Sequence, residues 1–546
     1  MKQKIGVALD VGTSGFRAQA IDLESGKVIS TAITLRHPLP GINIMDHLTF
    51  AIEYGLEFAH EIFIDAVEKL LSRLRGIDLK DVERIAVSGN PTQLSLFQGI
   101  EIRDLAWAGE RALKIRNVTP PKRDATVKTA GEIGIQNVSP EVEVLIPPCI
   151  KHELGADAIA MMVKSGFLEK EIALVADYGT NAEIALKIGD RILTGSAAAG
   201  PAIEGQHIER GMLAAPGAIS DLTYSISGWR CMVLDEEIYT RQGDIIDLAT
   251  GRVIEPGEMH GKAKGVTGTG LIAALAVGMM NRLIKPPKIR TRDRRLNLQD
   301  GVYITEKDVE EAGKALGAFR AGFLTLAEEA GVNYKDIKTV FMAGASGFYV
   351  DPLKARIVGE IPSSAEEIYQ VGNTSLSLAA DLIRDPEYLD KLQNFANELR
   401  TQHVMFATST IFQNVYTLEL SYWTEGMSLE DYEKFLKVYG IRQDVRYSGG
   451  SPKVTKVVPR DIADLGKFGL TVVPDVGTTV EVEVEGCQEC KECVKSCPEN
   501  AIMSVGEGRV LISSSLCLGT ACRRCVSACP LKILKFENAR VYRRGE

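Results

Sequence analysis

Ile5–Ala32 reads IGVALDVGTSGFRAQAIDLESGKVISTA: an apolar strand, a Gly turn, an alternating strand, a Ser-Gly turn and a further strand, which together predict a β-meander. Ile172–Ala197, IALVADYGTNAEIALKIGDRILTGSA, repeats that order, with the same Asp-x-Gly-Thr at the first turn and Gly189-Asp190 at the second. Asp10 and Asp177 lie 167 residues apart, and a duplicated subdomain is the natural inference. Each apolar strand delivers a carboxylate, Asp10 or Asp177, to a turn in which Gly12 or Gly179 lets backbone amides approach phosphate oxygens closely. Thr13, Ser14, Thr180 and Asn181 add side-chain hydrogen bonds. Two facing carboxylates repel unless a divalent cation lies between them, and Mg2+ bridged by nucleotide phosphates meets that need.

A third element supports a nucleotide site. VFMAGASG, Val340–Gly347, reads as a buried strand opening into a Gly-rich loop, and Gly344, Ala345, Ser346 and Gly347 carry so little bulk that adenine could lie against them. Before it, Thr305-x-x-Asp308 resembles a capping box, and Val309, Ala312, Leu316, Phe319, Phe323, Leu326 and Ala330 recur at helical spacing up to Gly331, a core stripe. No GxxxxGK[ST] or GxGxxG occurs, which removes the P-loop and Rossmann alternatives.

The last 60 residues of the chain, from Cys487 on, hold eight of its ten cysteines. The first run, Cys487-x2-Cys490-x2-Cys493-x3-Cys497-Pro498, has the bacterial ferredoxin spacing. The second, Cys517-x4-Cys522-x2-Cys525-x3-Cys529-Pro530, has two extra residues within CLGTAC, where Gly519 could let the loop bulge. In this pattern the fourth cysteine of each run serves the other run's cluster. One 4Fe-4S cluster is therefore assigned to Cys487, Cys490, Cys493 and Cys529, and a second to Cys517, Cys522, Cys525 and Cys497. Zinc also takes Cys-x2-Cys pairs, but seldom two Cys-x2-Cys-x3-Cys-Pro segments. Cys149 and Cys231 stand alone and read as small core residues.

Across 546 residues, 63 basic and 72 acidic side chains give a net charge of −9 with no long run of either sign, so nothing marks a nucleic-acid or anionic-membrane surface. The apolar stretch Gly270–Met280 is too short to span a ~30 Å hydrocarbon core and is expected to be a buried helix. The N-terminus reads as a strand rather than a signal peptide, and a cytoplasmic protein is expected. Residues 1–446 are expected to form the body and 481–546 a ferredoxin domain. Residues 447–480, rich in turns, should connect them with a few strands and could let the tail swing.

DVGTSG, DYGTN and MAGASG resemble the two phosphate motifs and the adenosine motif of the sugar kinase, actin and heat-shock ATPase superfamily. That resemblance implies an α/β fold of two ribonuclease-H-like lobes that bind ATP, followed here by a small α+β two-cluster ferredoxin domain. SAAAGPAIEGQHIERGMLAAPGAI, Ser196–Ile219, resembles the signature of ATP-dependent reductive activators of corrinoid proteins. Members of that family commonly carry an N-terminal 2Fe-2S domain. The order found here, ATPase then two-cluster ferredoxin, resembles the branch serving methylamine methyltransferases in methanogenic archaea.

The resemblance implies one-electron reduction of a corrinoid Co(II) to Co(I), a corrinoid protein as partner and an unidentified low-potential electron donor. Asp10 and Asp177 would act on Mg2+ and water, with Glu204 a further candidate. Two other readings stay open: an activator of a dehydratase or aryl-CoA reductase, which would hold one cluster on cysteines within the ATPase, and an electron carrier that hydrolyses no ATP.

Overall fold

The computed structural model describes residues 4–542 apart from 108–109, 180, 201, 203–204, 206, 444, 446–449, 520–521 and 537–538. It divides into two units, Met1–Ala160 with Ser375–Arg400 and Asp464–Glu546, and Met161–Thr374 with Thr401–Ala463, each built around its own apolar core.

In the first unit β1 (Ile5–Val11), β2 (Phe16–Asp22) and β3 (Val28–Thr34) form the meander, with β1 antiparallel to β2 along its whole length. Every residue of β1 is buried, so it reads as an apolar run rather than an alternation. β4 (Val82–Gly89) joins parallel to β1, β6 (Glu143–Ile146) parallel to β4, and β5 (Thr126–Thr129) antiparallel at the edge. Between β3 and β4 run α1 (Ile44–Tyr54) and α2 (Leu56–Leu71), divided at Gly55. The buried stripe of α2, Ala59, Ile62, Phe63, Ala66, Val67 and Leu70, keeps helical period and enters the same core as the sheet. α3 (Pro91–Gln98) starts directly after β4, with Asn90 as its N-cap and Pro91 at its first position.

The second unit repeats this plan. β7 (Ile172–Tyr178), β8 (Ala182–Ile188) and β9 (Arg191–Ala197) form the meander. The sequence does not announce the sheet that comes next, β10 (Ala218–Ser225), β11 (Gly228–Leu234), β12 (Thr240–Ile246), β13 (Val253–Glu255) and β14 (Gly265–Val266), in the order β13-β12-β11-β10-β14. The apolar stretch near Gly270 is the helix Gly268–Met280, capped by Thr267 and buried over most of its length.

Two small hairpins, β15 (Ile284–Lys285) with β16 (Lys288–Ile289) and β17 (Arg295–Asn297) with β18 (Tyr303–Thr305), lead into the helix Glu306–Ala330. That helix has the Thr305–Asp308 capping box and stops at Gly331, which takes φ 73°. β19 (Thr339–Ala343), β20 (Glu367–Gly372) and β21 (Lys453–Lys456) complete the sheet β21-β20-β19-β7-β8-β9. Its order 9-8-7-19-20 and strand directions match 3-2-1-4-6 of the first unit. Both units are ribonuclease-H-like, of the actin and sugar kinase class.

β21 and β22 (Leu470–Val473) come from the turn-rich stretch between body and tail, and each is spent as a parallel edge strand, β21 on β20 and β22 on β3. The tail that follows is an α+β ferredoxin domain. β23 (Thr479–Glu483), β24 (Ile502–Gly506), β25 (Arg509–Ser513) and β26 (Ala539–Val541) form a sheet in the order β24-β25-β23-β26. Short helices, Glu492–Lys495 and Arg524–Ala528, follow the two cysteine loops.

The tail belongs to the core of the first unit: Val473, Val476, Val480, Val482, Ile502, Val510 and Ile512 cluster with Leu9, Phe63 and Val67. Thr478 Oγ1 donates to Asp65, Lys69 Nζ donates to the Gly477 carbonyl at 2.8 Å, and Ser514 Oγ to the Pro38 carbonyl at 2.6 Å. Burial decides this docking, at ~1.5–3 kcal/mol for each enclosed valine or isoleucine. The exposed Arg523–Glu53 pair, 3.1 Å apart, adds under ~1 kcal/mol.

Candidate functional site

Asp10, the next-to-last residue of β1, is 4% exposed, and its Oδ2 lies 3.2 Å from Arg17 Nη1 on the opposing strand. The turn is closed by the Gly12 N–H donating to the Gly15 carbonyl at 3.2 Å. A Cβ at Gly12 would lie 3.1 Å from that oxygen. Thr13 Oγ1 accepts from Asn90 Nδ2 at 3.1 Å, and Ser14 is exposed.

The β1–β4 register sets Asp10 beside Ser88 and Val11 beside Gly89. A Cβ at Gly89 would sit 2.6 Å from the Val11 carbonyl oxygen, so the close approach of the two strand ends needs glycine. Ser375 Oγ donates to Ser88 Oγ at 2.9 Å. Ser88, Gly89 and Asn90 are the first unit's counterpart of the Val340–Gly347 segment, and sequence reasoning missed them. The available signal was the likeness of AVSGN at the end of β4 to FMAGA at the end of β19.

In the second unit Asp177 lies beside Ala343 in the β7–β19 register, and Gly344 follows with φ 76°. A Cβ on Gly344 would collide with Asp177 Oδ1. Residues Gly344–Tyr349 form a short helix rather than the expected loop, because Gly344, Ala345 and Ser346 let a helix begin at the strand end without a clash. Gln370, buried, holds that helix by donating to the Gly347, Phe348 and Val350 carbonyls at 2.9, 2.8 and 3.0 Å. Gly179 and Asn181 flank the turn half-buried, whereas Thr180 and Glu204 lie outside the described residues. The two turns differ in what faces the carboxylate across the meander: Arg17 opposite Asp10, and buried Glu183 opposite Asp177.

Behind the second turn, the Tyr178 hydroxyl and Glu360 Oε2 are buried without a hydrogen-bond partner. Burial pushes the Glu360 carboxyl up to about 8, so it keeps its proton in the folded chain long after an unfolded glutamate has lost it. The folded state then binds more protons than the unfolded state from the ordinary carboxylate range up to about 8, and stability falls as pH rises through that window. Glu360→Gln should remove this slope, worth about 1.4 kcal/mol per pH unit at its steepest. Thermal melts at pH 6 and pH 8 check it. The variant should gain on the parent at pH 8, and an equal pH dependence in the two would contradict the assignment.

In the tail all eight clustered cysteines are free of disulfides and fall into two groups. One cavity is lined by Cys487, Cys490, Cys493 and Cys529, the other by Cys497, Cys517, Cys522 and Cys525, so each takes three thiols from one run and one from the other. Backbone conformation repeats between the runs. Left-handed residues occur two after the first cysteine, Glu489 and Gly519, one after the second, Lys491 and Arg523, and three after the fourth, Asn500 and Lys532. The two extra residues of CLGTAC, 520–521, follow Gly519, and the pattern is matched on both sides of them.

Backbone amides point at sulfur, Ala501 N–H to Cys497 Sγ at 3.3 Å and Gly519 N–H to Cys517 Sγ at 3.4 Å. Four convergent thiols in a mostly apolar cavity fit a 4Fe-4S group in each place, and in the second cavity the amides on Cys497 and Cys517 add to that fit. Cys149 and Cys231 are buried elsewhere, and burial pushes both thiols up to about 12.

Comparison with known proteins agrees with this architecture. Family models match residues 5–170 (RACo middle region), 171–433 (C-terminal domain of RACo, the ASKHA domain) and 486–533 (4Fe-4S dicluster domain). The chain is 49% identical over 528 residues to the Co(II) methylated amine-specific corrinoid protein reductase of Methanosarcina barkeri, covering 94% of this chain and 95% of that one. It is 26% identical over 391 residues to the corrinoid activation enzyme RamQ of Eubacterium limosum, covering 67% of this chain and 62% of that one. A solved structure, the reductive activator for corrinoid,iron-sulfur protein, superposes with a TM-score of 0.61 at 23% identity over 77% of this chain and 66% of the other, a likeness of fold. By its near full-length identity to the archaeal reductase, the chain belongs to the family of reductive activators of corrinoid proteins.

Proposed function

We propose that this protein is an ATP-hydrolysing iron-sulfur oxidoreductase that reductively activates a methyltransferase corrinoid protein, returning inactive Co(II) to Co(I) by one electron. The observation that carries the reading is the joining, within one chain, of two Asp-strand turns of ATPase type to two four-cysteine cavities. Residues 1–446 handle nucleotide, 447–480 connect, and 481–546 carry electrons. Asp10 and Asp177 position Mg2+ and the attacking water. Gly12, Thr13, Ser14, Gly179, Thr180 and Asn181 hold phosphates, and Gly344, Ala345, Ser346 and Gly347 take the adenosine. Glu183, paired with Asp177 across the meander, would offer a second carboxylate to a cation held at the second turn.

Cys487, Cys490, Cys493 and Cys529 hold one cluster and Cys497, Cys517, Cys522 and Cys525 the other; these supply single electrons at low potential. The thiols keep the ligands convergent and the apolar walls exclude water. Re-reduction of cobalt is uphill for ordinary donors, and ATP supplies the remaining drive by favouring one protein surface over another. The donor is a low-potential carrier, and the partner is a corrinoid protein, that of a methylamine system. Clustered cysteines that ligate iron favour a reducing compartment, which supports a cytoplasmic location. No helix among the described residues is long and apolar enough to cross a membrane. ATP hydrolysis by the purified, iron-loaded chain tests the reading: turnover that needs Mg2+ supports it, and none with or without a corrinoid partner would leave a plain electron carrier.

A further inference from the structure

The first unit contains a buried polar bridge that the activity described above does not use. His37, His47 and Gln93 are all buried, with the two imidazoles stacked, centroids 3.8 Å apart. The Leu39 N–H donates to His37 Nδ1 at 3.1 Å, so the ring hydrogen sits on Nε2, which donates to Gln93 Oε1 at 2.9 Å. The Gln93 amide then donates to His47 Nδ1 at 3.0 Å. Both rings are neutral, because burial holds His37 down to about 3 and His47 well below the ordinary histidine range. A one-directional chain of neutral donors in a dry core fixes three segments in one arrangement. Its last hydrogen, on His47 Nε2, has no acceptor.

Each end of this bridge leads somewhere specific. Gln93 lies in the first turn of α3, and its N–H donates to Asn90 Oδ1 at 3.0 Å, while Asn90 Nδ2 holds Thr13 in the turn after β1. His37 opens the segment Pro38–Gly41, where the Pro38 carbonyl accepts from Ser514 and the Gly41 N–H donates to the Cys517 carbonyl at 2.9 Å. Gly519 packs on the same segment: a Cβ there would lie 3.3 Å from both the Pro40 carbonyl carbon and the Gly41 nitrogen. His47 lies on α1, whose Glu53 pairs with Arg523, the neighbour of Cys522. Both outward paths end on the loops of one cysteine group, Cys517 and Cys522.

We infer that His37, Gln93 and His47 are positioning residues that pass nucleotide occupancy at the Thr13 turn to the loops carrying Cys517 and Cys522, leaving the Cys487–Cys490 loop unaffected. The inference rests on the reading of the Thr13 turn as a nucleotide site.

The test uses the full-length, iron-loaded chain with and without a non-hydrolysable ATP analogue and Mg2+. Hydrogen exchange is read at residues 37–41 and 514–519, and the midpoint potential of each cluster by EPR-monitored titration. In the parent, the analogue should change exchange in both segments and move one potential only. Gln93→Leu should bind the analogue with unchanged affinity and lose both responses. Ser514→Ala, which removes the bond to Pro38 and the acceptor of the Thr478 N–H, should lose the response at 514–519 and carries the test if Gln93→Leu loads less iron. Retained responses in the variants, equal movement of both potentials, or a parent that binds the analogue without any response would each overturn the inference. A parent that binds no analogue would instead remove the nucleotide reading beneath it.

Discussion

Asp177→Ala is expected to lower ATP hydrolysis by at least about a hundredfold, the usual cost of removing a group that positions water or stabilises charge in a transition state. ATP-dependent activation should disappear with it, while iron content and cluster absorbance stay at parental values, because the cysteine cavities lie in the other unit. Asp10→Ala should give the same split between lost turnover and intact clusters. Gly344→Ala is an independent probe of the same carboxylate. Its methyl would collide with Asp177 Oδ1 at a backbone φ of 76°, so it should displace Asp177 and lower turnover with the carboxylate still present. Hydrolysis at the parental rate in either Asp variant would remove that residue from the site.

Loss of one tail cysteine should cost one cluster, and for the fourth cysteine of each run, Cys497 or Cys529, the cluster lost should be the one fed mainly by the other run. Cys529→Ser is expected to lower iron from about eight to about four atoms per chain, and Cys497→Ser likewise. Pairing them distinguishes the groups. Cys490→Ser with Cys529→Ser should lose no more iron than either alone, because both belong to one cavity, whereas Cys497→Ser with Cys529→Ser should lose nearly all of it. Additive loss in the first pair would break the crossed grouping. Electron delivery should fall in every case, and Cys149→Ala, buried away from both cavities, should change neither iron nor delivery. Substitution is a cleaner probe than deleting the tail, since deletion would also strip Val476, Val480 and Val482 from the first unit's core.

What could be read from the sequence was what neighbours along the chain determine. The meanders around Asp10 and Asp177 are strand, turn and strand in succession, and their glycines are dictated by local backbone needs. The cysteine spacing is set by the reach of a few residues around a small cluster, so the runs around Cys487 and Cys517 are legible as they stand. The Thr305–Gly331 helix carries its own cap, stripe and stop.

What escaped depends on distant partners. Thr478 meets Asp65 across 413 residues, and KVTK at Lys453–Lys456 is a strand only because β20 offers it an edge. The turn-rich stretch 447–480 was legible as a connector with a few strands, but not which edges its two strands would join. Asn90 escaped for a related reason: its role follows from the β1–β4 register, which brings Gly89 against Val11 and Asn90 against Thr13.

Joint action of nucleotide and clusters on a corrinoid is the core of the proposed activity. It is tested by mixing the iron-loaded protein and a low concentration of reductant with a purified methylamine-system corrinoid protein held as Co(II), and following the cobalt absorbance with and without ATP. Conversion to Co(I) that requires ATP, Mg2+ and both cysteine groups is the predicted result. Conversion at the same rate without ATP, or with Asp177→Ala in place of the parent, would contradict it.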